Sequence, residues 1–352
     1  MTFEQAVINI IEGKKSAPVL RALLQGMSQC YRAGMALRNF AYDKEILSVE
    51  KFPLPVISIG NIVAGGTGKT PFVRFLAQKL MIMGKVAILS RGYRSGMERS
   101  GKAAKIDHAD VELYGDESSM LSRQLPEAMI WVGKERVESA KGALAQGAKC
   151  MILDDGMQHR KIARDIEIGM MDAADPFGKG FYLPRGFLRD SPRRLKEMDL
   201  IVVSGVQNEA QFDEAKAEIR RYTNCPIVGV QLEALNKEEI QGKRVGTFCG
   251  IAKPERFISS VKEAGAEVVE SIQTLDHFSF ATKELSLFSD SCKAKGAQML
   301  VCTEKDAIKL QDHLALTLPV VVLKVELKIS FGEAFFQELL LKIKELWRQY
   351  HE

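Results

Sequence analysis

A glycine-rich turn, VAGGTGKT, carries the residue types that bind nucleotide phosphates. Small residues such as Gly65, Gly66 and Gly68 let backbone N–H groups close around phosphates, and a helix that follows adds its positive N-terminal end. Lys69 would then reach the β- and γ-phosphates, while the Thr70 hydroxyl would bind Mg²⁺. The predicted nucleotide-binding residues are Val63, Ala64, Gly65, Gly66, Thr67, Gly68, Lys69 and Thr70.

The turn departs from the general pattern G-x-x-x-x-G-K-[ST] at one position. The first glycine of the pattern falls on Val63, so only GGTGKT matches, as in the variant loops of the P-loop branch that includes dethiobiotin synthetase and the MinD-type ATPases. A chance glycine-rich turn is the alternative. The β-rich run before the loop and the helical pattern after it favour phosphate binding.

Two adjacent carboxylates, Asp154 and Asp155, end another apolar run, KCMIL. P-loop enzymes hold Mg²⁺ or its water shell with an acid at this position. Neighbouring side chains at a strand end point different ways, so one carboxylate would serve the metal and the other the adjoining loop. The sequence does not rank the two, and an Asp at a strand end can also simply begin a turn.

Polar residues in two other segments could act on an acceptor. Gln158 and His159 follow the paired carboxylates, although a histidine in a polar loop is more often solvated or a cap. In YGDESSM, Asp116 and Glu117 precede a helical pattern. Asp116 could be the general base, which in phosphoryl transfer mainly orients the acceptor hydroxyl. Local sequence alone favours a helix N-cap instead.

Arginines form a third group of candidates. Arg136 and the cluster Arg185, Arg189, Arg193 and Arg194 offer guanidinium forks suited to phosphate oxygens. The cluster follows a loop with Pro and Gly at the predicted active edge. A solvated basic surface is the alternative, and both interpretations stay open.

Alternating strand and helix patterns would position these residues. Apolar, β-rich runs lie at 85–93, 128–133, 149–156, 165–172 and 199–205. Such runs, separated by helical patterns, predict parallel strands that are buried on both faces and bind ligands at their carboxyl ends. The predicted fold class is α/β: a P-loop NTPase-type, mostly parallel sheet flanked by helices, with a second smaller α/β lobe and an N-terminal amphipathic helix.

Three units are predicted along the chain. Residues 1–50 form an amphipathic, membrane-associating segment, 51–215 the P-loop core, and 216–352 a second α/β lobe with a C-terminal helix over 331–348. The boundary is placed in the polar, charge-rich stretch 206–226, because a strand-like run ends just before it.

The N-terminal helix is predicted over 16–41, with Ser16 as its cap. One apolar stripe comprises Leu20, Leu23, Leu24, Met27, Tyr31 and Met35. No acidic residue lies between Lys14 and Arg38, so the helix could lie on an anionic membrane surface. Packing of the stripe on the protein's own core is the alternative.

Composition limits the class of protein. With 352 residues, 46% hydrophobic and 27% charged, the chain is typical of a soluble protein with two domains. A net charge of +4 is too small to indicate nucleic acid, but suits an anionic substrate or membrane. The six cysteines are scattered, which predicts reduced thiols in a cytosolic compartment; Cys150, Cys249 and Cys302 are expected to be buried.

Taken together, the motifs resemble those of the tetraacyldisaccharide 4′-kinases, the lipid A 4′-kinases of Gram-negative bacteria. The resemblance runs nearly end to end through GNIVAGGTGKTP, LSRGY, GDES, LDDGMQHRKIARDIEI, LPRGFLRD, RRLKEMD, GIAKPERF, DHFSF and TEKDAIKL. It implies transfer of the ATP γ-phosphate to the 4′-hydroxyl of an acylated glucosamine disaccharide 1-phosphate. The implied cofactors are ATP and Mg²⁺. The expected partners are the acylated disaccharide lipid and the anionic cytoplasmic face of the inner membrane, with no nucleic acid, and the protein is expected to be a monomer.

The resemblance also implies roles for individual residues. Lys69 and Thr70 match the phosphate and magnesium residues, Asp116 the catalytic base, and His277 of DHFSF the histidine that orients this base and tunes its proton affinity. The magnesium acid is Asp154 or Asp155, and the supporting polar residues are Glu117, Arg136, Gln158, His159, Arg185 and Arg189.

Two positions depart from the family pattern. Met157 stands where Phe or Leu is common, which keeps an apolar plug, and Arg185 stands where Ala is usual, which adds a charge near the substrate. Neither removes a catalytic group.

Two other functions are weighed against the kinase. One is a nucleotide-dependent switch protein of the same branch, and the other a membrane-associated nucleotide-binding scaffold. TEKD superficially resembles the guanine-reading [NT]-K-x-D, but Glu304 occupies the lysine position. The kinase is favoured because Asp116 and His277 both have roles in it. Closure of the second lobe, bringing His277 to Asp116 and excluding water, is a further hypothesis.

Overall fold

The computed structural model describes residues 3–14, 17–274, 280–310 and 316–351. The helices in these ranges are α1 Phe3–Ile11, α2 Pro18–Asp43, α3 Lys69–Leu80, α4 Gly96–Ser100, α5 Val111–Tyr114, α6 Asp116–Gln124, α7 Arg136–Ala145, α8 Glu209–Ile219, α9 Pro254–Glu263, α10 Thr282–Ala294, α11 Glu304–Ala307 and α12 Glu333–His351. The strands are β1 Val56–Gly60, β2 Val86–Ser90, β3 Ala103–Lys105, β4 Met129–Gly133, β5 Cys150–Asp154, β6 Ile166–Asp172, β7 Leu200–Ser204, β8 Ile227–Ala234, β9 Arg244–Cys249, β10 Glu267–Gln273, β11 Met299–Thr303, β12 Val320–Leu323 and β13 Val325–Phe331.

Within the described residues, one sheet has nine strands in the order β13-β8-β7-β6-β1-β5-β2-β4-β3, which we call the large sheet. The strands from β8 to β4 are parallel, and β13 and β3 pair antiparallel at its edges. The strands predicted at 85–93, 128–133, 149–156, 165–172 and 199–205 are all present. Because β5 and β6 flank β1, polar residues at their carboxyl ends meet beside the P-loop.

Amphipathic helices cover both faces of the large sheet with their apolar sides. On one face, Phe72 and Phe75 of α3 contact Phe336 of α12 with ring centroids 6.4 and 5.4 Å apart. On the other face, α7 packs close to Trp131, where a Cβ on Gly142 would lie 2.3 Å from the indole ring. Every residue of β1 is buried, which holds the start of the P-loop in a rigid frame.

A smaller sheet has the order β10-β9-β11-β12, with its strands parallel. Cys249 and Cys302 are buried in its strands, and Cys150 is buried in β5, as predicted. Burial raises the pKa of Cys150 and of Cys249 to about 12. These thiols are therefore small hydrophobic side chains at neutral pH rather than nucleophiles.

The boundary predicted at 206–226 does not separate the two sheets. Strand β8 pairs with β7, and β13 pairs with β8, so both belong to the large sheet. The charge-rich stretch was misleading because it contains α8, whose polar residues face outward while Phe212 is buried. The chain leaves the large sheet after Ala234 and returns at Val325, and Asn236 hydrogen-bonds across both crossings. We call the large sheet with its helices the first lobe, and the small sheet with α9 to α11 the second lobe.

The long helix α2 confirms the helix predicted over 16–41; Ser16, its predicted cap, lies outside the described residues. Its apolar stripe is divided between two environments. Leu24 and Met35 are buried, whereas Leu23 is 62% and Met27 59% exposed. Part of the stripe therefore packs on the first lobe and part faces away from it.

No helix in the described ranges has an apolar stretch long enough to span a bilayer.

Candidate active site

Hydrogen bonds from neighbouring loops hold the P-loop in place. The Asn61 side-chain amide donates to the Val63 carbonyl at 2.5 Å and to the Thr67 hydroxyl at 3.0 Å. The Ser204 hydroxyl, at the end of β7, donates to the Thr67 carbonyl at 2.8 Å. Gly68, with φ +73°, turns the chain directly into α3, so Lys69 and Thr70 open that helix. The loop thereby presents backbone N–H groups at a helix N-terminus.

Asp155 lies within a cluster of cations beside this loop. Arg189 donates to both carboxylate oxygens at 2.9 and 2.7 Å, and the Lys69 ammonium lies 3.5 Å away. Burial alone would raise the pKa of Asp155, but Lys69 and Arg189 reverse that effect and hold the pKa well below its usual range. Asp155 also has φ +51°, an unfavourable backbone conformation for an Asp. Arg136, itself buried, donates to the Asp155 carbonyl at 3.1 Å.

Asp154 has the opposite environment, although it is the preceding residue. It is buried, and one of its oxygens accepts a hydrogen bond from the Ser90 hydroxyl at 3.2 Å. Burial, followed by the charges of Glu117 and Asp155, raises its pKa to about 6. The negative charge collected around Asp154 makes this position suitable for a cation.

The first turn of α6 faces the start of α3. The Thr70 hydroxyl donates to Glu117 Oε2 at 3.2 Å. This hydrogen bond holds Glu117 beside the P-loop. Asp116 is buried and is the first residue of α6; Gly115 occupies the N-cap position that local sequence favoured for Asp116. One Asp116 oxygen still accepts the Glu117 N–H at 2.9 Å.

The second lobe supplies lysines to these carboxylates. Lys305 lies 3.0 Å from Glu117 and 3.5 Å from Asp116, and Lys309 lies 3.2 Å from Asp116. Sequence reasoning missed both lysines as site residues. The signal was present in TEKDAIKL, which contains both lysines. His277, predicted to join Asp116, lies outside the described residues.

A second set of cations joins the lobes at the end of β6. Lys253 and Arg256 contact buried Asp172 at 2.6 and 2.8 Å, and Arg256 lies over Gly205. The adjacent Ala252 approaches the P-loop so closely that a Cβ on Gly66 would lie 2.9 Å from its methyl group. The segment GIAKPERF therefore touches the P-loop, which the sequence did not reveal.

The loop after β5 is held near the P-loop. Gln158 donates to the Asn61 carbonyl at 2.9 Å. Burial, then the charge of Arg136, lowers the pKa of His159 to about 4, so its imidazole is neutral at pH 7. Arg164, which sequence reasoning missed, donates to the carbonyls of Gly156 and Met157 at 3.3 and 3.0 Å. Arg164 thus fixes the loop that carries Gln158 and His159.

Not every arginine candidate joins the site. The Arg185 guanidinium lies over the Phe181 ring, 4.3 Å from its centroid, rather than beside Asp154 or Asp155. A backbone hydrogen bond from Arg185 to Tyr182 forms the turn that places it there. Arg194 pairs with Glu197 at 2.6 Å. Of the predicted cluster, Arg189 is the member that reaches the P-loop carboxylates.

The parallel sheet, the P-loop and the carboxylates at adjoining strand ends define a P-loop phosphotransferase. A family model described as tetraacyldisaccharide-1-P 4′-kinase (LpxK) matches residues 20–345. The chain belongs to this family of kinases of lipid A biosynthesis, which confirms the fold class, the enzyme class and the function predicted from sequence.

Individual relatives agree with this assignment. A tetraacyldisaccharide 4′-kinase from Syntrophus aciditrophicus (strain SB) is 34% identical, covering 94% of this chain and 96% of that protein. One from Chlamydia pneumoniae is 35% identical, covering 83% and 82%. The solved structure of Aquifex aeolicus LpxK in complex with ATP is similar at a TM-score of 0.71 and 28% identity, covering 92% of this chain and 99% of that one.

Proposed function

We propose that this chain transfers the γ-phosphate of ATP to the 4′-hydroxyl of a tetraacyl glucosamine disaccharide 1-phosphate. The observation that carries the proposal is the contact between Thr70, which opens the P-loop helix, and Glu117, which follows Asp116. This contact joins a phosphate-binding loop to a buried carboxylate that can orient an acceptor hydroxyl. ATP as the donor is supported by the A. aeolicus relative, which was solved with ATP.

Each residue has a role that its surroundings support. Lys69 and the P-loop N–H groups bind the β- and γ-phosphates, and Arg136 and Arg189 hold the adjoining loops in place. Asp116 accepts the proton of the acceptor hydroxyl, and Lys309 fixes the orientation of its carboxylate. His277 keeps the role of partner to Asp116 that the family resemblance implies.

Mg²⁺ fits the oxygen donors beside the P-loop. Asp154 has a raised pKa and lies among negative charges, whereas Asp155 is already neutralised by Lys69 and Arg189. We therefore assign Asp154 and Thr70 to Mg²⁺, and Asp155 to the neighbouring loop. When bound, Mg²⁺ would neutralise charge on the β- and γ-phosphate oxygens.

The exposed surface of helix α2 supports a location of the protein at the cytoplasmic surface of the inner membrane. Its outward side is formed by apolar and small residues: Val19, Ala22, Leu23, Gly26, Met27, Cys30, Ala33, Gly34, Leu37 and Phe40. A continuous exposed apolar surface of this kind is suited to the interface of a bilayer. Arg32 and Arg185, which lie over the rings of Tyr182 and Phe181, add positive charge beside it.

The test is transfer of labelled γ-phosphate from Mg·ATP to detergent-dispersed tetraacyl disaccharide 1-phosphate. Wild type is compared with Asp116→Ala and His277→Ala, and with Asp213→Ala, on an exposed residue of α8, as the matched control. We expect robust transfer by wild type and the control, and collapse of transfer in the other two variants. A wild-type protein that binds ATP but phosphorylates no lipid would overturn the proposal in favour of a switch or scaffold.

A further inference from the structure

Helix α2 buries polar groups on the side opposite its exposed apolar surface. Ser28 and Asn39 are both buried, and each donates a hydrogen bond to the segment 181–190. Leu24 and Met35 are buried on the same side, so apolar packing alone does not account for the presence of Ser28 and Asn39 there. The contacts that these two polar side chains make explain their burial.

Three side chains of α2 bind that segment. Ser28 donates to the Tyr182 carbonyl at 2.8 Å, and the Tyr31 hydroxyl donates to the Arg189 carbonyl at 3.0 Å. The Asn39 amide donates to Asp190 Oδ1 at 2.9 Å. Asp190 is only 1% exposed, so each hydrogen bond to its carboxylate matters for its solvation.

The same segment reaches the phosphate site through Arg189. Its backbone N–H donates to the Ile62 carbonyl at 2.7 Å, and its guanidinium binds both oxygens of Asp155 and the carbonyl and side chain of Asn61. Asn61 in turn holds the P-loop through Val63. A continuous series of contacts therefore runs from α2 to the P-loop.

We propose that Asn39 and Tyr31 are positioning residues for phosphoryl transfer, which hold Arg189 on Asp155 from helix α2. The inference rests on the proposed kinase activity and extends it. One helix would then meet the lipid surface with one side and set the geometry of the phosphate site with the other. Small displacements at such a site have large effects on rate.

A double-mutant cycle between Asn39 and Arg189 tests the proposal. We expect Asn39→Ala to lower kcat/KM about tenfold, because a buried carboxylate loses a hydrogen bond and the segment shifts. If Asn39 acts through Arg189, adding Asn39→Ala to Arg189→Lys should cost little more than Arg189→Lys alone. Gln29→Ala, on an exposed residue of α2, is the control and should leave kcat/KM unchanged.

A reciprocal exchange separates positioning from general destabilisation. Asn39→Asp places two carboxylates together, Asp190→Asn keeps an amide oxygen that can still accept from Asn39, and the double variant forms the hydrogen bond in the opposite direction. We expect Asn39→Asp to lose activity, Asp190→Asn to lose little, and the double variant to regain most of what Asn39→Asp loses, with all assays run below the unfolding temperature of each protein. Loss without recovery, or no loss in Asn39→Ala, would overturn the proposal.

The same cycle is measured with the affinity for a non-hydrolysable Mg·ATP analogue, which needs no lipid acceptor. Weaker, non-additive binding supports the positioning role even if the lipid is not phosphorylated. Fully additive effects on both affinity and kcat/KM would contradict the role while leaving the kinase assignment intact.

Discussion

The two lobes contribute to the candidate site differently: the contacts of the first lobe lie within it, whereas those of the second lobe cross to its neighbour. In the first lobe, Asn61 and Ser204 hold Thr67 by hydrogen bonds, and Arg189 pairs with Asp155 of the same lobe. The second lobe contributes cations that lie on first-lobe carboxylates, with Lys309 on Asp116 and Arg256 on Asp172. The first arrangement is rigid, because each loop is anchored to a buried strand end.

This difference indicates a division of labour. Ion pairs between lobes can exchange with solvent as the lobes separate, since their charges are readily hydrated. Asn236 and Lys324 lie side by side where the chain crosses between the lobes, a position suited to a hinge. We infer that phosphate binding is set by the first lobe and closure by the second, and five experiments test the contributions of the two lobes.

Removing the P-loop lysine should have the largest effect. Lys69→Ala removes the cation that would reach the γ-phosphate and leaves Asp155 paired with Arg189. We expect kcat for labelled phosphate transfer to fall about 10³-fold. Lys79→Ala, in the last turn of the same helix, is the control and should keep full activity. A loss smaller than tenfold in Lys69→Ala would refute the P-loop assignment.

The lysines of the second lobe should rank next. Lys309→Met keeps the length of the side chain but removes the ammonium group from buried Asp116. We expect kcat to fall about 10²-fold, because a misoriented base loses most of its contribution. Lys305→Met should have a smaller effect, since Lys305 lies closer to Glu117 than to Asp116. Exposed Lys293 of α10 offers a matched control, Lys293→Met. If kcat were nearly unchanged in all three variants, the lysines of the second lobe would have no role in catalysis.

Sequence could single out Lys69, Thr70 and Asp154 as candidates because their signals are local: the P-loop lies within one motif and Asp154 ends one apolar run. It did not single out Asn61 and Ser204, which hydrogen-bond to Thr67. Contacts between segments that are distant along the chain could not be predicted. Lys305 lies 188 positions from Glu117 along the chain, and no period or spacing connects them.

The errors have a related physical cause. Strands β8 and β13 extend the large sheet beyond β7, and a local charge pattern does not reveal this pairing. The charge-rich segment that forms α8 was therefore mistaken for a lobe boundary. The stripe on α2 predicted an amphipathic helix covered by a membrane or by the core, but not that Leu23 would be exposed while Leu24 and Met35 of the same stripe are buried. Composition of a helix face does not specify which neighbour covers it.

The pH dependence of Mg·nucleotide binding should be a further, moderate effect. The pKa of Asp154 is about 6, so below that pH Mg²⁺ must displace a proton. We expect affinity to be constant above pH 6 and to fall up to about tenfold per pH unit below it. Calorimetric titration across this range measures the dependence, which Asp154→Asn should abolish and Asp155→Asn should retain. The opposite pattern would exchange the roles of the two carboxylates.

The same shift has a consequence for stability. The folded-state pKa of Asp154 lies above its ordinary value of 3.8. The contribution of Asp154 to the free energy of unfolding is therefore fully present below pH 3.8 and is lost as the pH rises through 6. In the absence of metal, Asp154→Asn should therefore raise the Tm at pH 8 and leave it nearly unchanged at pH 4. A lower Tm at pH 8 would show that ionised Asp154 is stabilised by its neighbours.

Weakening the contact at Asp172 should have the smallest effect on kcat and a clear effect on the radius of gyration. Arg256→Leu removes the guanidinium that binds Asp172, but Lys253 remains at 2.6 Å and keeps the buried carboxylate paired. Since this contact joins the lobes away from Asp116, we expect KM for ATP to rise only a few-fold while kcat changes little. Solution scattering should show a larger radius of gyration for the free variant than for wild type, and a decrease when an ATP analogue binds. Arg220→Leu, at the C-terminal end of α8, is a control for loss of a guanidinium away from the lobe contact. If Arg256→Leu lowered kcat as much as Lys309→Met does, the second lobe would act on the reacting groups through Asp172 as well, and its contribution could not be described as closure alone.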